Sequence, residues 1–171
     1  MCKTRVLFLC VGNTARSQMA EAFLRAYGGD RFEARSAGFQ PREIEPLAFA
    51  VMKELGFDMR THFPKGLKEL PRNLRFDYVI TVCNRAERRC SRLPSLGEHL
   101  SWPFEDPAAC VGSEEDRLAS FRKVRDGIEL FIREWLQERD TDCRQPHRNL
   151  AATTRPAHHG ARRQRRPSRG S

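Results

Sequence analysis

The sequence predicts a single-domain α/β protein, a four-stranded parallel sheet with helices on both faces, followed by a disordered basic tail. Three observations carry that prediction. Short apolar runs alternate with segments at helical spacing, the pattern of a parallel sheet joined through crossover helices. Glycines stand where the elements end. Beyond about Asp140 the apolar pattern stops, which puts the domain at residues 1–139 and the tail at 140–171.

Arg5-Val6-Leu7-Phe8-Leu9-Cys10 reads as a buried strand, short, apolar and closed by a loop holding Gly12 and Asn13. A helix is expected from Arg16 to Tyr27, with Met19, Ala22, Phe23 and Ala26 on one face and Gly28-Gly29 at its end. Phe32 to Ala37 reads as a second strand. Pro46 to Leu55 reads as a second helix, with proline in its first turn and Gly56 beyond it. A third strand lies within Phe76–Cys83 and a short fourth spans His99–Trp102. Asn84 to Cys90 reads as a very short helix with Asn84 as N-cap and Glu87 completing a capping box. Leu118, Phe121, Val124, Ile128, Ile132, Trp135 and Leu136 mark one face of a long helix from Glu114 to Glu138.

Of the formal net charge of +9 over 171 residues, +7 sits between Thr141 and Ser171, where eight Arg face one Asp. The rest of the chain is therefore close to neutral, and the high pI describes the tail. The tail has no interleaved aromatics for base stacking, so contact with nucleic acid is not expected of it. No apolar run approaches the roughly 18 residues of a membrane span. The apolar run Val6–Val11 near the start is too short for a signal-peptide core. These features predict a cytoplasmic protein with no membrane association, in which six cysteines serve chemistry or burial before structural disulfides.

The strongest local signal is Cys10-Val11-Gly12-Asn13-Thr14-Ala15-Arg16-Ser17. The Cys ends a strand and the Arg opens a helix. A loop in that setting aims successive backbone N–H groups inward as an anion-binding nest, and the helix N-terminus adds partial positive charge. Gly12 permits unusual backbone angles and Asn13 tolerates the left-handed region. Arg16 offers a planar fork for a tetrahedral oxyanion. The same field is expected to lower the pKa of Cys10, with the Ser17 hydroxyl bonded to the thiolate. Gly12, Asn13, Thr14, Ala15, Arg16 and Ser17 are the expected oxyanion-binding residues. The plain alternative, a buried Cys at a strand end and a surface Arg, leaves the strand–loop–helix setting unexplained.

The stretch from Val6 to Ala22, Val-Leu-Phe-Leu-Cys-Val-Gly-Asn-Thr-Ala-Arg-Ser-Gln-Met-Ala-Glu-Ala, resembles the opening of the thioredoxin-coupled arsenate reductases and, more loosely, of the low-molecular-weight tyrosine phosphatases. The likeness runs through Ser36-Ala37-Gly38 to the long helix, about four-fifths of the chain. In both families an Asp-Pro pair supplies the general acid, so the resemblance assigns that role to Asp106 of Phe104-Glu105-Asp106-Pro107, with Glu105 as a neighbouring carboxylate.

A phosphatase needs one nucleophilic Cys; this chain has more. Cys83 ends the third strand as Cys10 ends the first, so both thiols should border one crevice at the carboxyl edge of the sheet. Cys90 follows at roughly 10 Å along a helix, beyond the reach of about 7 Å that a disulfide requires. Joining Cys83 to Cys90 therefore needs that segment to bend or unwind. The resemblance implies a relay: Cys10 attacks arsenate, Cys83 attacks Cys10 and releases arsenite, Cys90 attacks Cys83, and thioredoxin reduces the resulting pair. Arg85, Arg88 and Arg89 read either as groups lowering the pKa of Cys90 or as a solvated helix face. A zinc pair is the other use of two such cysteines, but no second Cys or His pair stands at ligand spacing.

The resemblance also implies potassium-binding positions at Asn13, Glu21 and Ser36, found in some arsenate reductases. A further acidic ligand expected near Phe63-Pro64-Lys65 is absent and Lys65 stands there, so no metal or other cofactor is expected. Cys2, Cys110 and Cys143 have no evident partner, and His62 and His99 read as loop or core residues.

Two other functions compete. A low-molecular-weight phosphotyrosine phosphatase usually has a second Cys inside the loop, where this chain has Ala15. It usually has tyrosines after the Asp-Pro pair, where Ala108 and Ala109 stand. A non-enzymatic redox or arsenic sensor would need the cysteines but not Asp106.

Overall fold

The computed structural model describes residues 3–71, 73–90 and 97–142, with the backbone alone for residues 90, 141 and 142. Cys2, Cys143 and nearly all of the expected tail lie outside the described residues. Strands β1 (Thr4–Cys10), β2 (Phe32–Gly38), β3 (Tyr78–Thr81) and β4 (Glu98–Ser101) alternate with helices α1 (Arg16–Gly28), α2 (Pro46–Glu54), α3 (Asn84–Cys90) and α4 (Glu114–Asp142). Every expected element forms. The long helix runs past Glu138 to Asp142, and β3 stops at Thr81, two residues short of Cys83.

All strand pairs are parallel, in the order β2-β1-β3-β4. The chain leaves β1 in one direction to form β2 and returns across it to form β3. The point where the order reverses, between β1 and β3, is where a crevice opens beyond the carboxyl ends of the strands. Cys10 closes β1 there, and Val82, one residue past β3, donates its N–H to Leu9 O at 2.9 Å.

Strand β1 is covered on both faces, which is why its apolar run is unbroken rather than alternating. Val6 and Phe8 join the large core with Met19, Phe23, Val51, Phe121, Ile128, Ile132 and Trp135 from α1, α2 and α4. Leu7 and Leu9 join a smaller cluster with Ala37, Phe76 and Val79, against which Leu67, Leu70 and Leu74 pack. Successive side chains of a strand point to opposite faces, so the sheet separates the two cores.

Helix α2 is clasped to α4 by charge. Arg122 bonds Glu54 at 2.8 Å, and the buried Arg125 reaches both Glu54 and Val51 O at 2.8 Å, the second being a carbonyl in the last turn of α2. The hydrogen bonds from Arg122 and Arg125 push the Glu54 carboxyl from 4.5 down to about 2. A carboxyl held below its ordinary value stabilises the fold above that value and loses the contribution as pH falls. Glu54→Gln is therefore expected to lower Tm by a few degrees at neutral pH. The gap to the parent chain should close as pH falls from 4.5 toward about 2, as followed by thermal melts across that range.

Candidate active site

The loop between β1 and α1 owes its shape to an outer clasp. Phe39 N, Gln40 N, Arg42 N and Glu45 N donate to the carbonyls of Cys10, Val11, Gly12 and Thr14 at 2.8–3.3 Å. A planar trans peptide points its carbonyl and the following N–H in opposite directions. With those four carbonyls turned outward, the N–H groups of Val11, Gly12, Asn13 and Ala15 face inward. Asn13 N–H shows it directly, donating to Cys10 Sγ at 2.9 Å. Asn13 holds the left-handed conformation, φ 53°, that makes the reversal. No side chain caps α1, so the N–H groups of its first turn add to the same positive focus.

Strand β2 crowds this loop. Gly38 ends β2 opposite Cys10, and a Cβ there would lie 2.8 Å from Val11 O, 2.9 Å from Asn13 N and 3.0 Å from Gly12 C. All three are backbone atoms, so only glycine fits.

The protons around the sulfur have a determinable order. The Asn13 Oδ1 atom accepts from the backbone N–H of Lys65 at 2.8 Å and from Gln18 Nε2 at 2.8 Å. A backbone N–H cannot exchange roles, so the Asn13 amide has one orientation. Its Nδ2 then donates both hydrogens, to Ser17 Oγ and to Ser36 Oγ, each at 2.9 Å. Ser17 Oγ lies 2.9 Å from Cys10 Sγ; either atom can supply the hydrogen while the thiol is neutral, and toward the thiolate Ser17 is the donor. Ser36 spends its hydrogen on Glu21 Oε2. Asn13, Ser17, Gln18, Glu21 and Ser36 are all buried.

The Cys10 thiol departs from the sequence expectation. Burial pushes it above its ordinary value and outweighs the hydrogen bonds from Ser17 and Asn13 and the charge of Arg16, which pull it down; Cys83 adds a smaller upward push. The loop supplies the expected thiolate-stabilising donors, but a strand end buried by α1 and β3 is also dry, and dryness favours the neutral form.

Arg16 reaches across the crevice. Its guanidinium donates to Phe104 O at 3.0 Å and lies 3.4 Å from Asp106 Oδ1. Asp106 caps the short 3₁₀ turn Pro107–Ala109 by accepting from Ala108 N at 3.3 Å. The adjacent Glu105 turns instead to Lys123 on α4, 3.4 Å away, so of the two neighbouring carboxylates Asp106 alone meets Arg16. Cys83 is buried beside β3. Its carbonyl accepts from Ala86 N and Glu87 N, which makes Cys83, rather than Asn84, the residue that caps α3. The N-cap lies one residue before the expected one because the chain turns into the helix directly from the strand end, which puts Ala86 rather than Glu87 at the third helical position. Cys90 ends α3, and its side chain lies outside the described residues. Arg89 places its guanidinium 5.5 Å from the centre of the Phe39 ring, linking α3 to the segment that clasps the loop. Cys110 is half-exposed, with its sulfur 3.7 Å from Asp116 O.

Sequence reasoning missed the pocket's far wall. Gln18 Nε2 also bonds Phe63 O at 2.9 Å, and Gln18 Oε1 meets His62 Nδ1 at 3.0 Å. Burial lowers the His62 pKa. Gln18, a polar residue beside Met19 and Ala22 on the helix, was the one available signal. The potassium positions implied by the resemblance do not fit an ion here. The Lys65 ammonium stands 3.4 Å from Glu21 Oε2, Arg25 pairs with Glu21 Oε1, and Asn13 Oδ1 already accepts two hydrogen bonds.

Two substitutions test this geometry. Ser17→Ala removes a hydrogen bond that favours the Cys10 thiolate, so the pH profile of Cys10 alkylation by iodoacetamide should move to higher pH; an unmoved profile would sink the assignment of that proton. Gly38→Ala should push the loop out of register, weakening inhibition by inorganic phosphate at least about tenfold and costing about 1–3 kcal/mol of stability, the usual range for forced overpacking.

Comparison with known proteins agrees with this architecture. The Arsenate reductase of Halalkalibacterium halodurans is 40% identical over 129 residues, covering 75% of this chain and 91% of the relative. A solved arsenate reductase in its oxidised state superposes with a TM-score of 0.64 at 25% identity, over 79% of this chain and 98% of that one. The thioredoxin-dependent arsenate reductase of Corynebacterium glutamicum superposes with a TM-score of 0.61 at 31% identity, over 82% of this chain and 63% of that one. The family model for the low molecular weight phosphotyrosine protein phosphatases matches residues 5–145, from the first strand through the last helix, and the chain belongs to that family.

Proposed function

We propose that the protein reduces arsenate to arsenite in the cytoplasm, through three cysteines recycled by thioredoxin. The observation that carries this reading is the placement of a second thiol, Cys83, beyond β3, next to the strand that ends in Cys10. Hydrolysis of a phosphate ester has no use for it. The likeness to arsenate reductases in sequence and structure supports the same reading.

Arsenate, a tetrahedral oxyanion, enters the nest of N–H groups and the fork of Arg16. Because Cys10 is dry, its proton leaves most readily when an anionic arsenate oxygen takes it, which makes the thiolate and improves the leaving group together. Cys10 Sγ bonds arsenic, and an oxygen departs as water with a proton from Asp106. Cys83 then attacks Cys10 Sγ. The electrons of the S–As bond pass to arsenic, which falls from As(V) to As(III) and leaves as arsenite, while a Cys10–Cys83 disulfide forms. Cys90 attacks Cys83 and frees Cys10 as a thiolate. The thioredoxin dithiol reduces the Cys83–Cys90 pair and is itself oxidised.

The third step sets α3 in motion. At seven residues it is too short to hold by itself, and it rests on the buried Ala86 and the Arg89–Phe39 contact. It can unwind at small cost and bring Cys90 to Cys83. The reading assigns catalysis to residues 1–139 and no catalytic group to 140–171. Because the oxyanion loop, Arg16 and Asp106 suffice for phosphate-ester chemistry, slow phosphatase activity accompanies the reductase.

One panel checks this. Cys83→Ser and Cys90→Ser should each abolish thioredoxin-dependent multiple turnover while retaining aryl phosphate hydrolysis. Asp106→Asn should slow both by about 10²–10⁴-fold, the usual contribution of a general acid. If Cys83 and Cys90 both remain alkylatable after one arsenate turnover, the relay is wrong.

A further inference from the structure

We propose that Lys65 is a positioning residue for Cys10: its ammonium is a tethered cation that holds the buried Glu21 and, through Ser36, Asn13 and Ser17, keeps a hydrogen directed at the nucleophilic sulfur without any bound metal ion. This rests on the reading of Cys10 as nucleophile and deepens it.

Glu21 is buried, its side chain 1% exposed. A carboxylate at that depth needs compensation. It receives three donors from three segments: Arg25 one turn on along α1, Ser36 from β2, and Lys65 from the loop beyond α2, whose Nζ lies 3.4 Å from Oε2. Lys65 is firmly placed. Its N–H bonds Asn13 Oδ1 at 2.8 Å, and its carbonyl accepts from Gly38 N at 2.8 Å. Its ammonium also donates to Phe63 O at 3.0 Å and sits 4.6 Å from the centre of the Phe63 ring. One residue thus touches both ends of the chain of polar groups, Asn13 through its backbone and Glu21 through its side chain.

The direction of the chain depends on both contacts. Asn13 can donate to Ser36 only while Ser36 gives its own hydrogen away, and the acceptor for that hydrogen is Glu21. If Glu21 turned aside or became a donor, Ser36 would be free to donate toward Asn13. The Asn13 amide keeps its orientation through the Lys65 N–H, but its Nδ2 would lose Ser36 as an acceptor, and Ser17, held by the other Nδ2 hydrogen, would be less firmly placed to donate to the Cys10 thiolate. Beside Arg25, the ammonium supplies the second positive charge that the buried carboxylate receives. The remaining titratable neighbour is His62, which feels Glu21 but bonds Gln18.

The test uses the full chain and two readouts, the pH profile of Cys10 alkylation and the separate values of kcat and KM for arsenate. Each is taken in potassium chloride and in choline chloride at equal ionic strength. The parent chain should behave alike in both salts. Lys65→Met should move the alkylation profile up by about half to one pH unit, a threefold to tenfold loss of thiolate at fixed pH. It should lower kcat by a similar factor and leave KM within about twofold. Glu21→Gln and Ser36→Ala should each do the same, and the double variant should be no worse than the poorer single one, because both cut one chain. Potassium dependence in the parent chain, or a Lys65→Met variant that loses melting temperature while keeping its alkylation profile, would overturn the proposal. Alkylation is read without arsenate, so failure of the reductase reading leaves this arm standing.

Discussion

Around Cys10 the decisive interaction is a single backbone hydrogen bond, from Lys65 N–H to Asn13 Oδ1. Hydroxyls rotate and side-chain amides flip, but a main-chain donor does neither. Fixing one end of the Asn13 amide makes the Ser17 and Ser36 hydroxyl oxygens acceptors of its hydrogens, which leaves the Ser17 hydroxyl able to donate to the Cys10 thiolate beside the Asn13 backbone N–H. The buried polar network is satisfied from end to end, the condition under which such networks add order rather than cost.

The fold serves this arrangement by convergence. The reversal of strand order between β1 and β3 brings Cys10, Cys83 and the Asp106 loop to one rim, though they are separated by most of the domain in sequence. Glycine at position 38 lets β2 press against the loop, and residues 39–45 then draw its carbonyls outward. The pocket's charge therefore comes mainly from peptide groups, with the Arg16 guanidinium added from the first turn of α1.

Much of this was legible in the residues. Apolar runs against helical spacing marked each strand and helix, because periodicity reports which face is buried. The Cys10–Ser17 stretch declared itself through Gly12, Asn13 and Arg16 at positions whose backbone and charge demands are unusual. What stayed hidden depended on tertiary approach. The Phe39–Glu45 clasp has no pattern, because its work is done by main-chain N–H groups. Lys65 read as a missing ligand, since only the folded chain brings its ammonium to Glu21. The direction of the Cys10 shift was misjudged because nearby donors can be read from sequence neighbours, whereas burial depends on β3 and the helices that pack over the strand end. The N-cap of α3 moved by one residue for a related reason: β3 ends early, and Cys83 occupies the turn.

A nest made of main-chain N–H groups and one guanidinium senses tetrahedral shape and charge, and little else. Phosphate has both. Discrimination must then be kinetic rather than a matter of fit. Both anions fit such a pocket, but under the proposed relay arsenic alone can accept an electron pair when a second sulfur attacks, while a phosphoryl group can only be passed to water. On the proposed reading, phosphate and arsenate share one seat, and the departure of phosphate is a step that arsenate turnover must wait for.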